Sequence, residues 1–297
     1  MHALVLLAGA PKPSPLLSGA QRCVVDLPFD ERRDLLALWL EQCRTLFNGC
    51  DEQPLQLRLL ANANVPSPRP RSDEEMADLA PFAIRIEQET TAYRGSGGAL
   101  RDAVAAHDDD DRILVATAGQ LLLHPLNELV ALLCAEAADI TVFSHRDGTP
   151  GGLFYLRCGC LRDLPDRGFI DFKEQALPRL ARRHTVRVVE TAGPSALPVR
   201  TQRDYLTALR WFHGHGGAAA LRDPFAEDCH RTFAIVEPGA AVASDTHIHD
   251  AVVLAGARVE SGATVVRCVV GPGARVPRGA RVVDEIITGP SQARERQ

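Results

Sequence analysis

The sequence predicts an α/β protein: a mostly parallel sheet flanked by helices, followed by a short parallel β-helix. Two observations carry this. Over residues 1–225, apolar strand-like runs alternate with amphipathic helical stretches, the pattern of a parallel sheet with crossover helices. Near the end, three near-copies of one unit follow each other: Val236–Val252 (VEPGAAVASDTHIHDAV), Val253–Val269 (VLAGARVESGATVVRCV) and Val270–Ile286 (VGPGARVPRGARVVDEI).

The repeat is regular. Aliphatic residues recur at 236, 242 and 248, at 253, 259 and 265, and at 270, 276 and 282, and Ile287 opens a further turn. The steps are six, six and five, so each unit is 17 residues, and Gly239, Gly256 and Gly273 share one phase. One inward aliphatic per short strand, with a tight corner between strands, is the signature of a parallel β-helix whose coils share a core.

The preceding elements follow in order. Ala3–Ala8 is continuously apolar and ends at Gly9, as a strand buried on both faces requires. Asp34–Phe47 places Leu35, Leu36, Trp39, Leu40, Cys43 and Phe47 on one helical face. Leu55–Leu60 and Ala83–Ile86 read as strands around the polar, proline-rich Asn62–Asp73. A helix over Ser96–Val104 follows the glycines at 95, 97 and 98. Strands are expected at Ile113–Ala116, Ile140–Phe143, Leu153–Leu156 and Val186–Val189, and helices at Leu126–Glu136, Phe172–Arg183 and Arg203–Trp211. His213–Ala220 (HGHGGAAA) reads as a linker, its histidines hinge residues rather than ligands. The expected division is therefore an α/β domain over 1–225, the β-helix over 232–288 and a polar tail over 289–297.

Bulk properties exclude several classes. The 297 residues suit about two domains. A net charge of -5 gives no footprint for nucleic acid or an anionic membrane surface. No run approaches about 20 uninterrupted apolar residues, so no membrane span is expected. The chain opens directly into a strand without a charged leader, and the eight cysteines form no C-x-x-C pair, which points to the cytoplasm and to reduced thiols. Cys43 and Cys134 lie inside apolar patterns and are expected to be small buried hydrophobes. Cys158-x-Cys160 is insufficient for a zinc site, and Asp108–Asp111 reads as a solvated loop.

An α/β domain with this C-terminal repeat resembles the sugar-1-phosphate nucleotidylyltransferases, which join a nucleoside triphosphate to a sugar 1-phosphate. The resemblance implies a Rossmann-like nucleotidyltransferase fold, and it implies that the β-helix is left-handed. Further pieces match in order. Leu7-Ala8-Gly9 sits where the family's first strand meets its nucleotide loop. Gly95-Ser96-Gly97-Gly98-Ala99-Leu100 matches its G-T-A-G-A-L element, with Gln88 as the upstream glutamine. Gly168–Leu180 (GFIDFKEQALPRL) and Asp204-Tyr205-Leu206 match later stretches. The resemblance thereby implies nucleotide contacts at Leu7, Ala8, Gly9, Gln88, Gly95, Ser96, Gly97, Gly98 and Gly119, and sugar contacts at Gly151 and Gly152.

The departures concern catalysis. Phosphoryl-type transfer depends on positioning and on neutralising negative charge. The family's G-x-G-T-R loop is replaced by Ala10-Pro11-Lys12-Pro13-Ser14-Pro15-Leu16, whose prolines cannot donate to phosphate. Lys12 stands in for the arginine. Arg22, in Gln21-Arg22-Cys23-Val24, stands in for the family's lysine. The two Mg²⁺-binding aspartates are missing. Thr117-Ala118-Gly119-Gln120 follows the strand where the first belongs, and Pro198 occupies the place of the second.

Three readings follow. The first is a catalytically impaired member that binds a nucleotide or nucleotide sugar and serves a regulatory or scaffold role. It would assemble with itself or with an active paralogue through the β-helix, and it needs no metal. The second is an active transferase using Mg²⁺ on relocated ligands among Asp26, Glu89, Asp102 and Asp171. The third is an acyltransferase working from the β-helix with His247 or His249 as general base.

Overall fold

The structure is a computed structural model. It describes residues 3–9, 14–47, 56–61, 65–69, 83–88, 94–146, 148–191, 193–215 and 233–289. The chain divides into two compact units. One comprises Met1–Lys12 with Leu36–Ala196, the other Pro13–Leu35 with Leu197–Gln297. The boundary expected at residue 225 lies outside the described residues.

The first unit contains β1 (Ala3–Leu7), β2 (Gln56–Ala61), β3 (Ala83–Gln88), β4 (Arg112–Thr117), β5 (Gln120–Leu122), β6 (Ile140–His145), β7 (Pro150–Arg157) and β8 (Val186–Thr191). Seven of these form one sheet in the order β3-β2-β1-β4-β7-β6-β8. All neighbours pair in parallel except β7, which runs antiparallel to both β4 and β6. β1 lies between β2 and β4 with helices on both faces, which is why it is apolar throughout. Ala3 and Val5 join Ile113, Val115, Phe154 and Phe172 in one cluster, while Leu4 and Leu6 are buried on the opposite face.

The strands stand where the sequence puts them, to within a few residues. The helices are α2 (Leu35–Phe47), α3 (Gly95–Ala103), α4 (Leu126–Cys134), α5 (Cys158–Arg162) and α6 (Leu177–Leu180), with a wide turn over Phe172–Ala176 before α6. The helix α1 (Pro15–Ala20) belongs to the second unit. Trp39 of α2 donates its indole N–H to the Ala118 carbonyl at 2.9 Å, satisfying both groups in the interior. Cys43 is buried and its thiol is pushed up to about 12 by that burial. Cys134 corrects the expectation of burial. The inward stripe of α4 is Leu126, Leu129 and Leu133, so Cys134 falls off the stripe and is exposed. Among the described residues no helix is long and apolar enough to cross a membrane.

The second unit holds ten short strands of the repeat: β10 (Ala234–Val236), β11 (Ala241–Val242), β12 (His247–His249), β13 (Ala251–Val253), β14 (Arg258–Val259), β15 (Thr264–Val266), β16 (Val269–Val270), β17 (Arg275–Val276), β18 (Arg281–Val283) and β19 (Ile286–Ile287). They follow β9 (Ala196–Pro198). They form three parallel sheets, β10-β13-β16-β19, β11-β14-β17 and β12-β15-β18. Each residue pairs with the one 17 positions later, as in Val236↔Val253, Val259↔Val276 and Val265↔Val282. The repeated aliphatics therefore stack in columns, and Val253, Val259, Val265, Val270 and Val276 form a common core. Gly239, Gly256 and Gly273 hold one corner at φ 91, 80 and 69°, which other side chains resist.

Sequence-distant segments complete this unit. The short helix α1 (Pro15–Ala20), capped by Ser14, buries Leu16, Leu17 and Ala20. Its Gly19 approaches so closely that a β-carbon there would lie 2.4 Å from the Ile286 side chain. The helix α7 (Gln202–Arg210) opens with a Thr201–Asp204 capping box. From its far end Arg210 donates to the Asp250 carboxylate at 2.8 and 2.6 Å. Both residues are buried, at 8% and 4% exposure.

A buried ion pair that loses one partner leaves an uncompensated charge, at a cost of about 3–5 kcal/mol. Arg210→Ala should therefore lower the unfolding free energy of this unit by that order, measured by urea unfolding. Arg203→Ala, on the same helix, serves as the reference.

Candidate functional site

β2 and β3 extend the sheet to one side of β1, and β4 pairs on the other. That reversal makes the carboxyl ends of β1 and β4 the topological switch point, the place where open parallel sheets bind ligands. Leu7 pairs with both Leu60 and Thr117. Beyond the strands, Ala8 N–H donates to the Leu60 carbonyl and Ala118 N–H to the Leu7 carbonyl, each at 2.9 Å. Ala8-Gly9 and Ala118-Gly119 therefore leave the sheet side by side. Because β7 is antiparallel to β4, with Ala116 opposite Leu153, its first residues Gly151 and Gly152 reach the same edge.

Close packing explains these two glycines. A β-carbon on Gly151 would lie 2.5 Å from the Phe143 ring, and one on Gly152 would lie 2.4 Å from Gln120 Oε1. Gly152 also has φ +72°, the left-handed region. Gln120, 7% exposed, thus rests its carboxamide on the Gly152 backbone. Its Nε2 is buried without a hydrogen-bond partner. Such a donor costs about 1–3 kcal/mol, so its retention needs a reason outside packing.

The remaining residues expected at the site are distributed as follows. Gln88 ends β3, paired to Ala61 two strands away from β1, and its carboxamide bonds Ser67 and, at 3.4 Å, the Val65 carbonyl. The glycine element forms the first turn of α3 rather than preceding it. Gly97 N–H donates to the Ile170 carbonyl at 2.9 Å, and Ile170 N–H to the Arg94 carbonyl at 3.0 Å. A β-carbon on Gly95 or Gly97 would stand 2.6 or 3.0 Å from that same Ile170 oxygen, and one on Gly98 would stand 3.2 Å from the Arg94 guanidinium. Ser96 Oγ accepts from Phe172 N–H at 2.9 Å and donates to Asp171 at 3.1 Å. The two stretches linked only by family resemblance, residues 95–100 and 168–180, are therefore locked to each other, and this packing already accounts for the glycines.

The charged candidates are likewise engaged. Arg22 lies in the second unit, where its guanidinium grips Glu237 of the repeat at 2.5 and 2.7 Å. Asp102 accepts from Arg94 at 2.9 and 2.6 Å. Asp171 accepts from the N–H groups of Lys173 and Glu174, both at 2.9 Å. Asp26 is buried in a short turn of the second unit. Lys12 and Glu89 lie outside the described residues. His247 is exposed on β12, and His249 Nδ1 stands 3.8 Å from the Asp250 carboxylate. His213 bonds the Phe29 carbonyl at 2.9 Å and stacks on Phe233, so it is a packing residue of the second unit.

Sequence reasoning missed one polar chain. His145 Nε2 bonds Ser195 Oγ at 2.8 Å, and its Nδ1 bonds Thr149 Oγ1 at 3.1 Å. The 50-residue separation of His145 and Ser195 leaves no local signal. Ser195 is fully buried, so the chain ties loops together rather than presenting a nucleophile.

No family model matches the chain, and no curated protein sequence does. Solved structures do. HddC from Yersinia pseudotuberculosis matches at a TM-score of 0.52 and 12% identity, covering 71% of this chain and all of that one. A protein from Bacillus anthracis, named provisionally as a glucose-1-phosphate thymidylyltransferase and solved in complex with a sucrose, matches at 0.51 and 10% identity, covering 71% and 95%. At these identities the likeness is one of fold. What is shared is a mixed, mostly parallel sheet with its flanking helices.

Gln120→Met keeps an unbranched side chain and removes the orphan donor, so it should raise stability by about 1 kcal/mol or more in urea unfolding. Gly152→Ala forces a β-carbon into the left-handed region and into Gln120, and should lower stability by about 2 kcal/mol.

Proposed function

We propose that this chain is a nucleotidyltransferase-fold protein that binds a nucleotide or nucleotide sugar at the strand ends of its first unit without turning it over. It serves as a regulatory or scaffold partner. The observation that carries this reading is the uncharged character of the described residues at these strand ends. Leu7, Ala8, Gly9, Thr117, Ala118, Gly119, Gln120, Gly151 and Gly152 include no carboxylate to hold Mg²⁺ and no cation to offset a leaving pyrophosphate. Asp102 and Asp171, candidates for relocated ligands, already have arginine and backbone partners.

Backbone groups at Leu7–Gly9 and Gly119 would meet the nucleotide, and Gly151–Gly152 with the Gln120 carboxamide would meet the sugar. Gln88 and the Gly95–Gly98 turn stand farther along the same reading, as the flank of the base pocket. The second unit is read as a left-handed β-helix through which the chain joins another copy of itself or an active relative. The free thiols among the described residues suit a reducing cytoplasm.

Thermal unfolding with nucleotides and nucleotide sugars, each with and without Mg²⁺, tests this. A ligand at about a hundred times its Kd contributes about 2.7 kcal/mol, enough to raise Tm visibly. We expect such a rise with at least one nucleotide sugar, independent of Mg²⁺, and no pyrophosphate release from any triphosphate and sugar 1-phosphate pair. Arg22→Gln should lower the starting Tm yet leave the ligand-induced rise intact. Metal-dependent pyrophosphate release would overturn the reading in favour of an active transferase.

A further inference from the structure

The opposite end of the large sheet carries a cluster of metal-ligating side chains that the proposed nucleotide site does not use. Asp139 precedes β6, Cys160 lies in α5 directly after β7, and His184 precedes β8. The antiparallel pairing of β7 brings all three loops to the amino-terminal end of β4 and β6, since Arg112 pairs with Arg157 and Ile140 with Leu156. One ligand atom from each of Asp139, Cys160 and His184 lies within 4.8 Å of the other two.

The frame around them is rigid. Asp139 N–H donates to the Thr185 carbonyl at 3.1 Å, Arg157 N–H to the Asp139 carbonyl at 2.9 Å and Cys158 N–H to the Asp111 carbonyl at 2.8 Å. Thr185 N–H in turn bonds Asp139 Oδ2 at 3.0 Å, which holds the carboxylate in place and leaves its remaining lone pairs for a ligand. Asp163 Oδ2 bonds His184 Nε2 at 3.0 Å, the carboxylate–imidazole pairing that orients metal-binding histidines. Cys160 is fully buried, and burial, with the Asp139 charge next in effect, pushes its thiol up to about 11. A thiol in that state is inert as a nucleophile. It becomes a ligand once a metal drives off its proton.

We propose that Cys160, His184 and Asp139 form a site for a thiophilic divalent ion of the zinc type, with Arg157 as its built-in competitor. One sulfur, one nitrogen and one oxygen donor with a fourth position open is a zinc-type set, whereas magnesium and calcium require oxygen ligands. Binding transfers the Cys160 proton to solvent and forms metal–sulfur, metal–nitrogen and metal–oxygen bonds. Arg157 now donates through Nε to Asp139 Oδ1 at 2.9 Å, and its Nη1 already reaches Asp110 at 3.3 Å. The guanidinium also interacts with the Cys160 thiol, so an arriving ion displaces it from both Cys160 and Asp139, with Asp110 as its remaining partner. The bound ion would staple three loops at the end of the sheet remote from the switch point.

The test uses the full chain, freed of metal and titrated with Zn²⁺ against a chromophoric chelator, then with Co²⁺. One equivalent should bind, and Co²⁺ should give a thiolate-to-cobalt charge-transfer band in the near ultraviolet. Cys160→Ser and His184→Gln should lose the band, while Cys158→Ser, which changes the neighbouring buried thiol, should keep it. Arg157→Gln should tighten Zn²⁺ binding, because the ion no longer has to displace a cation from Asp139. That gain would not arise from a merely structural cluster, and it does not depend on the ligand variants folding. Absence of the charge-transfer band in the unaltered protein overturns the proposal. So does a band that survives Cys160→Ser, or Zn²⁺ affinity unchanged in Arg157→Gln.

Discussion

The parallel pairing of β1 with β2 on one side and β4 on the other governs the first unit. A strand flanked in this way has no free edge, its residues Ala3–Leu6 are buried on both faces and so are apolar, and its register sets where the neighbouring loops emerge. Leu7 stands level with Leu60 and Thr117, so the chain leaves β1 and β4 at the same height. The single antiparallel strand β7 then delivers Gly151 and Gly152 to that edge and sends Cys160 to the other. One inverted strand thus populates both ends of the sheet.

This geometry separates architecture from catalysis. The described residues at these strand ends are backbone, small side chains and one neutral carboxamide. Charge is concentrated elsewhere and is already compensated, as in Arg22 with Glu237, Arg94 with Asp102 and Arg210 with Asp250. A site of uncharged donors and acceptors can select a polyhydroxylated ligand by shape and hydrogen bonding.

What the sequence revealed depended on the range of the interactions involved. The continuous run Ala3–Ala8 and the 17-residue period are local patterns, and both appear in the structure with little change. The segment after Gly9 reads as an eroded phosphate loop because its prolines are obvious and its partners are not. Gly19 faces Ile286, and Arg22 reaches Glu237 across 215 residues. No periodicity could announce such contacts. Gln120 likewise reads as a missing aspartate, since its burial is decided by Gly152, which follows a helix and a strand later. Gly95 and Gly97 were legible as a motif, but their packing on the Ile170 carbonyl is a tertiary fact.

At one corner of the repeat, the left-handed backbone is held without glycine. Asp250, Arg267 and Asp284 share one phase, 17 residues apart, with φ of 49, 51 and 58°. Each carries a strain of about 1–2 kcal/mol that glycine would avoid. Their side chains give the reason: Asp250 binds Arg210, and Arg267 binds Asp284 at 2.6 and 2.8 Å. Charge therefore alternates along this edge, negative, positive, negative. The coils look interchangeable in their valine columns but are individually addressed here. Exchanging the first and second coils would set Arg267 against Arg210, and duplicating the last would bring two aspartates face to face. Unequal recombination, the ordinary route by which repeat arrays lengthen or shorten, would be penalised at this edge, so the number of coils is tied to their order.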